Sequence, residues 1–431
     1  MRTLPTVRTP PAPSPAPCAP PRPRPVGPGK GWAGAAILDD PVTAGVLHSA
    51  WSGDPAVVVP SPPGAGKTRL VALLAAALSV RAGLRVGVAA QTRAQAVEIA
   101  RRLGGLGVPA RLLWPAKHPV PQVPSPATVA PRGQARFTGT GGGVVVATTA
   151  RWLYADPKSL GCDLMLVDEA WQCTYGDLCA LGAFAGQIVA VGDPGQISPV
   201  VTGATRRWID SPTGPHLPGP VGLLAAHRDA VSLVTLRHTW RLGPATTALV
   251  QPVFYPSLPF TSRRPPEHLA DPSGAVLPEV TTLTVPVSAG PGDPALVHAC
   301  AERARDLLST TWVRADGATK VSAQDLAVVT PHVSQAAGVR ALLADLPDVL
   351  VGTANQLQGM ERPAAVVLHP LAGYREVSDF ATDLGRACVM LSRHRAHLSV
   401  VTDPATPAVL AAADDPAART HLRLLDLLEV T

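Results

Sequence analysis

No stretch of this 431-residue chain is apolar for long enough to cross a bilayer, and its N-terminus holds no apolar signal core. Neither membrane spanning nor secretion is expected. The six cysteines, Cys18, Cys162, Cys173, Cys179, Cys300 and Cys388, include no Cys-x-x-Cys pair. That argues against zinc ribbons and disulfide frameworks and suits a reducing cytoplasm. Aromatic residues are only 4% of the chain, so stacking platforms for nucleobases would be few. Lysine is scarce: nearly all the basic side chains are arginine, and alanine and proline abound, as a G+C-rich genome would produce. The net charge of +6 is compatible with a polyanionic partner without demanding one. Residues 1–30 contain no acidic side chain and almost nothing to bury, so this Pro/Arg-rich tail is expected to be disordered.

What is present from Gly31 onward is a rhythm. Short, nearly continuous apolar runs at 57–60, 86–91, 144–148, 164–168 and 188–193 alternate with helix-period stretches. Such runs mark strands of a parallel sheet covered on both faces. Residues 105–143 interrupt the rhythm with prolines, glycines and the basic residues Arg111, Lys117 and Arg132, and read as a long surface excursion. A second alternation begins near Val231 and runs on to 398–402, with 256–295 reading as irregular. A Pro/Gly-rich connector over 211–220 separates the two blocks. The expected architecture is α/β, with one lobe over 31–220 and a second over 221–431.

The first lobe opens on a phosphate-binding signature. Ser61-Pro62-Pro63-Gly64-Ala65-Gly66-Lys67-Thr68 follows the apolar run 56–59 and precedes a helical segment. Strand, glycine-bearing loop, Lys-Thr, helix is the order of a P-loop. Gly64 and Gly66 let the backbone curl so that N–H groups point inward at an anion, and the helix dipole adds to that. Lys67 supplies a point charge for the outer phosphates, and the Thr68 hydroxyl can sit on Mg²⁺. Pro63 and Ala65 complete the expected cradle. Ser61 stands where the general pattern has its first glycine, a variation that a small residue tolerates.

A P-loop alone does not choose among kinases, GTPases, transport ATPases and motors. The run Leu164-Met165-Leu166-Val167 ends in Asp168-Glu169, two carboxylates at the carboxyl edge of a parallel sheet beside the P-loop. Asp168 is expected to share Mg²⁺ with Thr68, and Glu169 to polarise the attacking water as general base. After the next apolar run, Gly192-Asp193-Pro194-Gly195-Gln196 projects a glutamine able to sense a γ-phosphate. By itself that stretch is an ordinary Gly-Pro turn.

Taken in order, these motifs resemble those of superfamily 1 helicases, the branch of the nonsense-mediated-decay RNA helicase and its DNA-acting relatives. That family carries Gly-Pro-Pro-Gly-Thr-Gly-Lys-Thr, Asp-Glu-Ala-x-Gln and Gly-Asp-x-x-Gln-Leu-x-Pro, which are similar to 61–68, Asp168–Gln172 and Gly192–Pro199 here. The likeness continues through Leu236–Leu242 with Phe254-Tyr255, Val329–His332 with Gln335, Thr353–Glu361 and Val389–Arg395. It covers about residues 40–403 in family order.

The resemblance implies two RecA-like lobes with ATP between them. It implies Arg241 and Arg393 as cations for the transferring phosphoryl group, a task suited to an always-charged planar guanidinium. Trp240 stands where the family stacks on adenine and Glu361 where it binds ribose. Gln358 stands where it couples the nucleotide site to the strand track, and Gly359 beside it belongs to the implied nucleotide-binding set. Single-stranded DNA or RNA would cross the tops of both lobes, near Thr92 and Arg93, near Thr148, Thr149 and Arg151, and near Thr330, Pro331 and His332. A monomer moving 5′ to 3′ is the expectation, and the alternative is a nucleotide-gated clamp that grips without processive motion. No glutamine precedes Gln91, so the family's upstream adenine-reading glutamine has no counterpart. No accessory β-barrel is expected ahead of the first lobe, so translocation is expected more than strong unwinding.

Overall fold

The apolar runs become strands because nothing in them needs water and their Val- and Ala-rich side chains pack on both sides of a sheet. The structure is a computed structural model describing residues 31–131, 136–137 and 142–430; the expected tail over 1–30 and Arg132 lie outside the described residues. The first lobe holds eight strands: β1 (Ala56–Pro60), β2 (Arg85–Ala90), β3 (Ala110–Leu113), β4 (Thr128–Ala130), β5 (Gly143–Thr148), β6 (Leu164–Val167), β7 (Ile188–Gly192) and β8 (Val231–Leu233). They form one sheet in the order β4-β3-β5-β2-β6-β7-β1-β8, with every pairing parallel. Side-chain alternation along β1 serves two cores. Val57 and Val59 pack with Leu70 and Leu74 of the helix Lys67–Arg81. Ala56 and Val58 pack on the other face with Trp152 and Leu178.

Two expectations need correction. The stretch 105–143 is not merely an excursion: Ala110–Leu113 pairs with β5, and Thr128–Ala130 extends the edge beyond it. These runs are so short that the surrounding prolines and glycines hide them. The second lobe also does not begin at 221, because β8 pairs with β1 in the first sheet. Chain proximity to the connector suggested otherwise, but the open edge of β1 offers Val231–Leu233 unpaired backbone groups to bond.

Past β8 come β9 (His238–Thr239) and β10 (Thr261–Ser262), then β11 (Glu267–Ala270), β12 (Val280–Thr284), β13 (Thr311–Arg314), β14 (Gly317–Lys320), β15 (Leu326–Thr330), β16 (Leu350–Thr353), β17 (Arg362–Leu368) and β18 (His394–Thr402). The second lobe is a five-stranded parallel sheet, β12-β18-β17-β15-β16. A small antiparallel sheet, β11-β13-β14, stands beside it. The segment read as irregular therefore carries β10, β11 and β12.

The lobes meet tightly. The helix Leu384–Leu391 of the second lobe lays Gly385 on the backbone of the first, where a β-carbon would lie 2.9 Å from the Gln196 carbonyl oxygen and 3.0 Å from Ile197 Cα. Gly385→Ala is thus expected to open this seam and lower the melting temperature, which differential scanning calorimetry would read.

Two buried histidines of the second lobe, His369 and His421 of the C-terminal helix Pro416–Val430, sit edge to face at 5.6 Å. Burial pulls His421 from 6.5 down to about 4. A histidine held neutral when folded takes its proton on unfolding in this window, so stability is lost as pH falls from 6.5 towards 4. Unfolding curves of His421→Leu should show a shallower loss over that range than the natural chain.

Candidate nucleotide site and nucleic-acid track

The strand order β6-β7-β1 brings three distant loops side by side at one carboxyl edge: the P-loop after β1, Asp168-Glu169 after β6 and Asp193 after β7. Ser61 is anchored there, its amide and hydroxyl both donating to the Gly192 carbonyl at 2.9 and 2.7 Å. The hydroxyl has a structural use that glycine could not supply. Gly64 (φ +70°) and Gly66 (φ +82°) take the left-handed turns of the loop. At Gly64 space also demands glycine, since a β-carbon would meet Arg241 Cβ at 2.3 Å. At Gly66 a β-carbon would meet nothing within 4 Å. Pro63 offers its carbonyl to the Thr239 hydroxyl at 2.7 Å, and Trp240 N–H donates to the Gly64 carbonyl at 2.9 Å. Ala65 N–H donates to Pro62 within the loop at 3.3 Å. The second lobe therefore touches the cradle itself.

Lys67 is buried with its ammonium 3.4 Å from Asp193 and 3.9 Å from Glu169. The Thr68 hydroxyl donates to Asp168 at 3.0 Å. Asp168 is fully buried, and burial, followed by the adjacent Glu169 charge, pushes its carboxyl up to about 7. A cation beside it would offset both effects. Glu169 Oε2 is buried without a hydrogen-bond partner. Glu169 is also the one non-glycine residue at positive φ (52°) among the described residues. Such strain costs about 1–3 kcal/mol and persists where neighbours enforce it. No group of three or more His, Cys, Asp or Glu able to hold a metal occurs among the described residues. The oxygen donors Thr68 and Asp168 fit Mg²⁺, which takes few protein ligands and completes its shell with water and phosphate oxygens.

Asp193 links the lobes. It accepts from Gln196 at 2.8 Å, from Gly195 N–H at 3.1 Å and from the Tyr255 hydroxyl of the second lobe at 2.7 Å. Gln358 in turn donates to Gln196 at 3.3 Å. A polar chain thus runs Lys67–Asp193–Gln196–Gln358 across the seam. Asp193 and Tyr255 carry this geometry, and the sequence reading gave neither a role. The signal was present in Gly-Asp-x-x-Gln and Phe-Tyr, but only spatial closeness reveals the bond. Gly195 is glycine because the Tyr255 ring would lie 2.4 Å from a β-carbon there.

Arg393 is buried and donates only to neutral acceptors: the Val389 carbonyl at 2.8 Å, the Met360 carbonyl at 3.3 Å and the Ser392 hydroxyl at 2.9 Å. Burial, then Arg241, pulls its guanidinium down to about 10, so it remains charged at neutral pH. Arg241 donates to Glu361 and to the Ser392 carbonyl. Burial would raise the Glu361 carboxyl, but Arg241 and then Arg395 outweigh it and hold it below its usual range. The carboxylate expected on ribose is here engaged by two arginines. Trp240 is half exposed beside the P-loop, and Gly359 (φ +83°) is exposed in the turn before Glu361.

The expected track divides in two. Thr92 caps the helix Arg93–Gly105 through a reciprocal pair with Gln95, and Arg93 contacts His118. Thr148 caps the helix Thr149–Leu153 by accepting from Arg151 N–H. These lie at the carboxyl ends of β2 and β5, along the edge that holds the P-loop. Thr149, Thr330 and Pro331 are buried, and the Thr149 and Thr330 hydroxyls serve the Ala90 and His332 carbonyls. Their expected contact with a strand is therefore not available in this conformation. His332 is half-buried, stacked on Phe380 at 4.9 Å and bonded to the Tyr374 hydroxyl. Trp152 is core, donating to the Val88 carbonyl.

Residues 43–218 match a family model described as an AAA domain. RNA helicase Mov10l1 of Homo sapiens is 26% identical over 283 residues, covering 56% of this chain and 22% of that protein. Among solved structures, arterivirus nonstructural protein 10 (helicase) aligns over 85% of this chain and 62% of its own at 16% identity, with a TM-score of 0.47. The PRRSV helicase aligns over 83% and 54% at 18% identity, with a TM-score of 0.45. The chain thus spans well under half the length of its curated relative.

Tyr255→Phe removes one donor to a buried carboxylate and leaves its packing intact. It is expected to lower the unfolding free energy by about 1–2 kcal/mol, measured by guanidinium denaturation.

Proposed function

We propose that this chain, whose motif series is that of the superfamily 1 helicases, hydrolyses ATP in the cleft between its lobes and uses the cycle to move along single-stranded nucleic acid. The observation that carries this reading is Arg393: a buried second-lobe guanidinium with only neutral hydrogen-bond acceptors, close enough to Asp193 and Glu169 of the first lobe to feel their charge. An anion in the cleft would complete it, and a triphosphate is the anion that the glycine loop fits.

Each group then has a task. The backbone of Pro63–Thr68 and the Lys67 ammonium bind phosphate. Thr68 and Asp168 would hold Mg²⁺, which neutralises charge on the outer phosphates when bound. Glu169, strained and with one free oxygen, takes the proton from the attacking water. Gln196, already tied to Asp193 and Gln358, orients that water and reports on it to the second lobe. Arg393 and Arg241 stabilise charge on the phosphoryl group; arginines in this role are typically worth about 10³–10⁵ in rate. Trp240 offers an exposed face for the base. Loss of contact across Gln196–Gln358 after hydrolysis would let the lobes shift, and alternating grip on a strand at the ends of β2 and β5 converts this into steps. Movement 5′ to 3′ by a monomer without zinc, in a reducing cytoplasm, is the corresponding setting. Among the described residues no helix is long and apolar enough to cross a membrane.

ATP turnover measured with and without poly-dT or poly-U tests the reading. Stimulation by at least one strand is expected, and none would count against it. Lys67→Ala should abolish turnover and weaken nucleotide binding, whereas Glu169→Gln should abolish turnover and keep binding. Wild-type kcat in Glu169→Gln would overturn the base assignment. Salt-sensitive binding with turnover but no directional displacement of a fluorescent strand would mark a clamp.

A further inference from the structure

Arg241 is the start of a series of alternating charges that runs away from the cleft. Its guanidinium bonds the Glu361 carboxylate, whose other oxygen lies 3.6 Å from Arg395. Arg395 donates through Nε and Nη2 to Glu267 Oε1 at 3.1 and 3.0 Å. Glu267 sits on β11 and also accepts the Trp312 indole N–H from β13 at 3.0 Å. Beyond it, Arg264 lies 3.9 Å from Glu267 and 3.6 Å from Glu279. Glu279 returns the series to its origin, accepting from Ala245 N–H, Thr246 N–H and the Thr246 hydroxyl at the start of the helix Pro244–Phe254. Three arginines and three glutamates thus alternate between the side chain of Arg241 and the backbone just after it.

The far end of the ladder is buried, whereas the Arg395 and Glu361 side chains nearer the cleft are 34% and 37% exposed. Glu267 is 6% exposed, and the Arg264 side chain is equally buried. An apolar cluster of the same volume would stabilise the lobe as well or better, because buried ions give up hydration. What alternating charges add is geometry. Arg241 is a long side chain with much rotamer freedom to lose, and its Cβ must also clear Gly64 of the other lobe. Charge stabilisation in a transition state depends on donors fixed in advance.

Resting on the reading of Arg241 as a cation for the phosphoryl group, we propose that Arg395 and Glu267 are its positioning residues: they fix Glu361, Glu361 fixes the guanidinium, and turnover depends on them although neither touches nucleotide. The antiparallel sheet β11-β13-β14 is thereby wired to the cleft through Glu267.

ATP hydrolysis and fluorescent-nucleotide affinity of the full chain, its Arg395→Ala and its Glu267→Gln variants test this. Both variants are expected to lose kcat by about tenfold or more with KM for ATP held within about twofold. Added guanidinium ion should restore part of the Arg395→Ala rate and none of the Glu267→Gln rate. The double variant should fall no further than the worse single, since both break one path. Folded variants with unchanged kcat, or with nucleotide affinity lost in step with rate, overturn the proposal. A natural chain without ATPase activity overturns the underlying reading instead. Should either substitution unfold the lobe, Trp312→Phe removes one donor to Glu267 and keeps an aromatic ring. A kcat drop of about two- to threefold is expected there, and no change overturns the proposal.

Discussion

Asp193 is the residue on which the cleft depends. A buried carboxylate must be matched by donors, and this one takes the Lys67 ammonium, the Gln196 amide, the Gly195 N–H and the Tyr255 hydroxyl. The four donors come from three parts of the molecule: the P-loop, the loop after β7, which supplies two, and the second lobe. One acid therefore holds the P-loop lysine in place and binds the lobes together. The tie is polar and local, so it can be exchanged for another anion without unpacking either core.

The charges around it are distributed unequally. Lys67 has two acids nearby, whereas Arg393 has none within ion-pair range among the described residues. Leaving a buried guanidinium with carbonyl and hydroxyl acceptors only is unfavourable unless an anion arrives. Binding a phosphate would relieve that cost and release Lys67 from Asp193.

Close backbone approach makes this geometry stiff. Gly64, Gly195 and Gly385 each lie where a side chain from the opposite lobe, or its backbone, occupies the space of a β-carbon. Glycine at these points is a packing requirement, in two of them without any positive φ. The seam is thus built from contacts with no slack.

The central strands of both sheets, the P-loop and the acid pair were legible in the sequence, because each depends on local physics: apolar runs of strand length, glycines before Lys-Thr, carboxylates after a buried strand. Their order along the chain sufficed to suggest two lobes with the nucleotide between them. Tertiary structure alone decided that Val231–Leu233 belongs to the first sheet, that 110–113 and 128–130 extend it, and that the Thr149 and Thr330 hydroxyls face inward. It alone joined Tyr255 to Asp193 over 62 positions and Arg395 to Glu267 over 128. A sequence shows which residues can donate, accept or carry charge. Which of them meet is set by how two sheets twist and dock, and no local pattern encodes that.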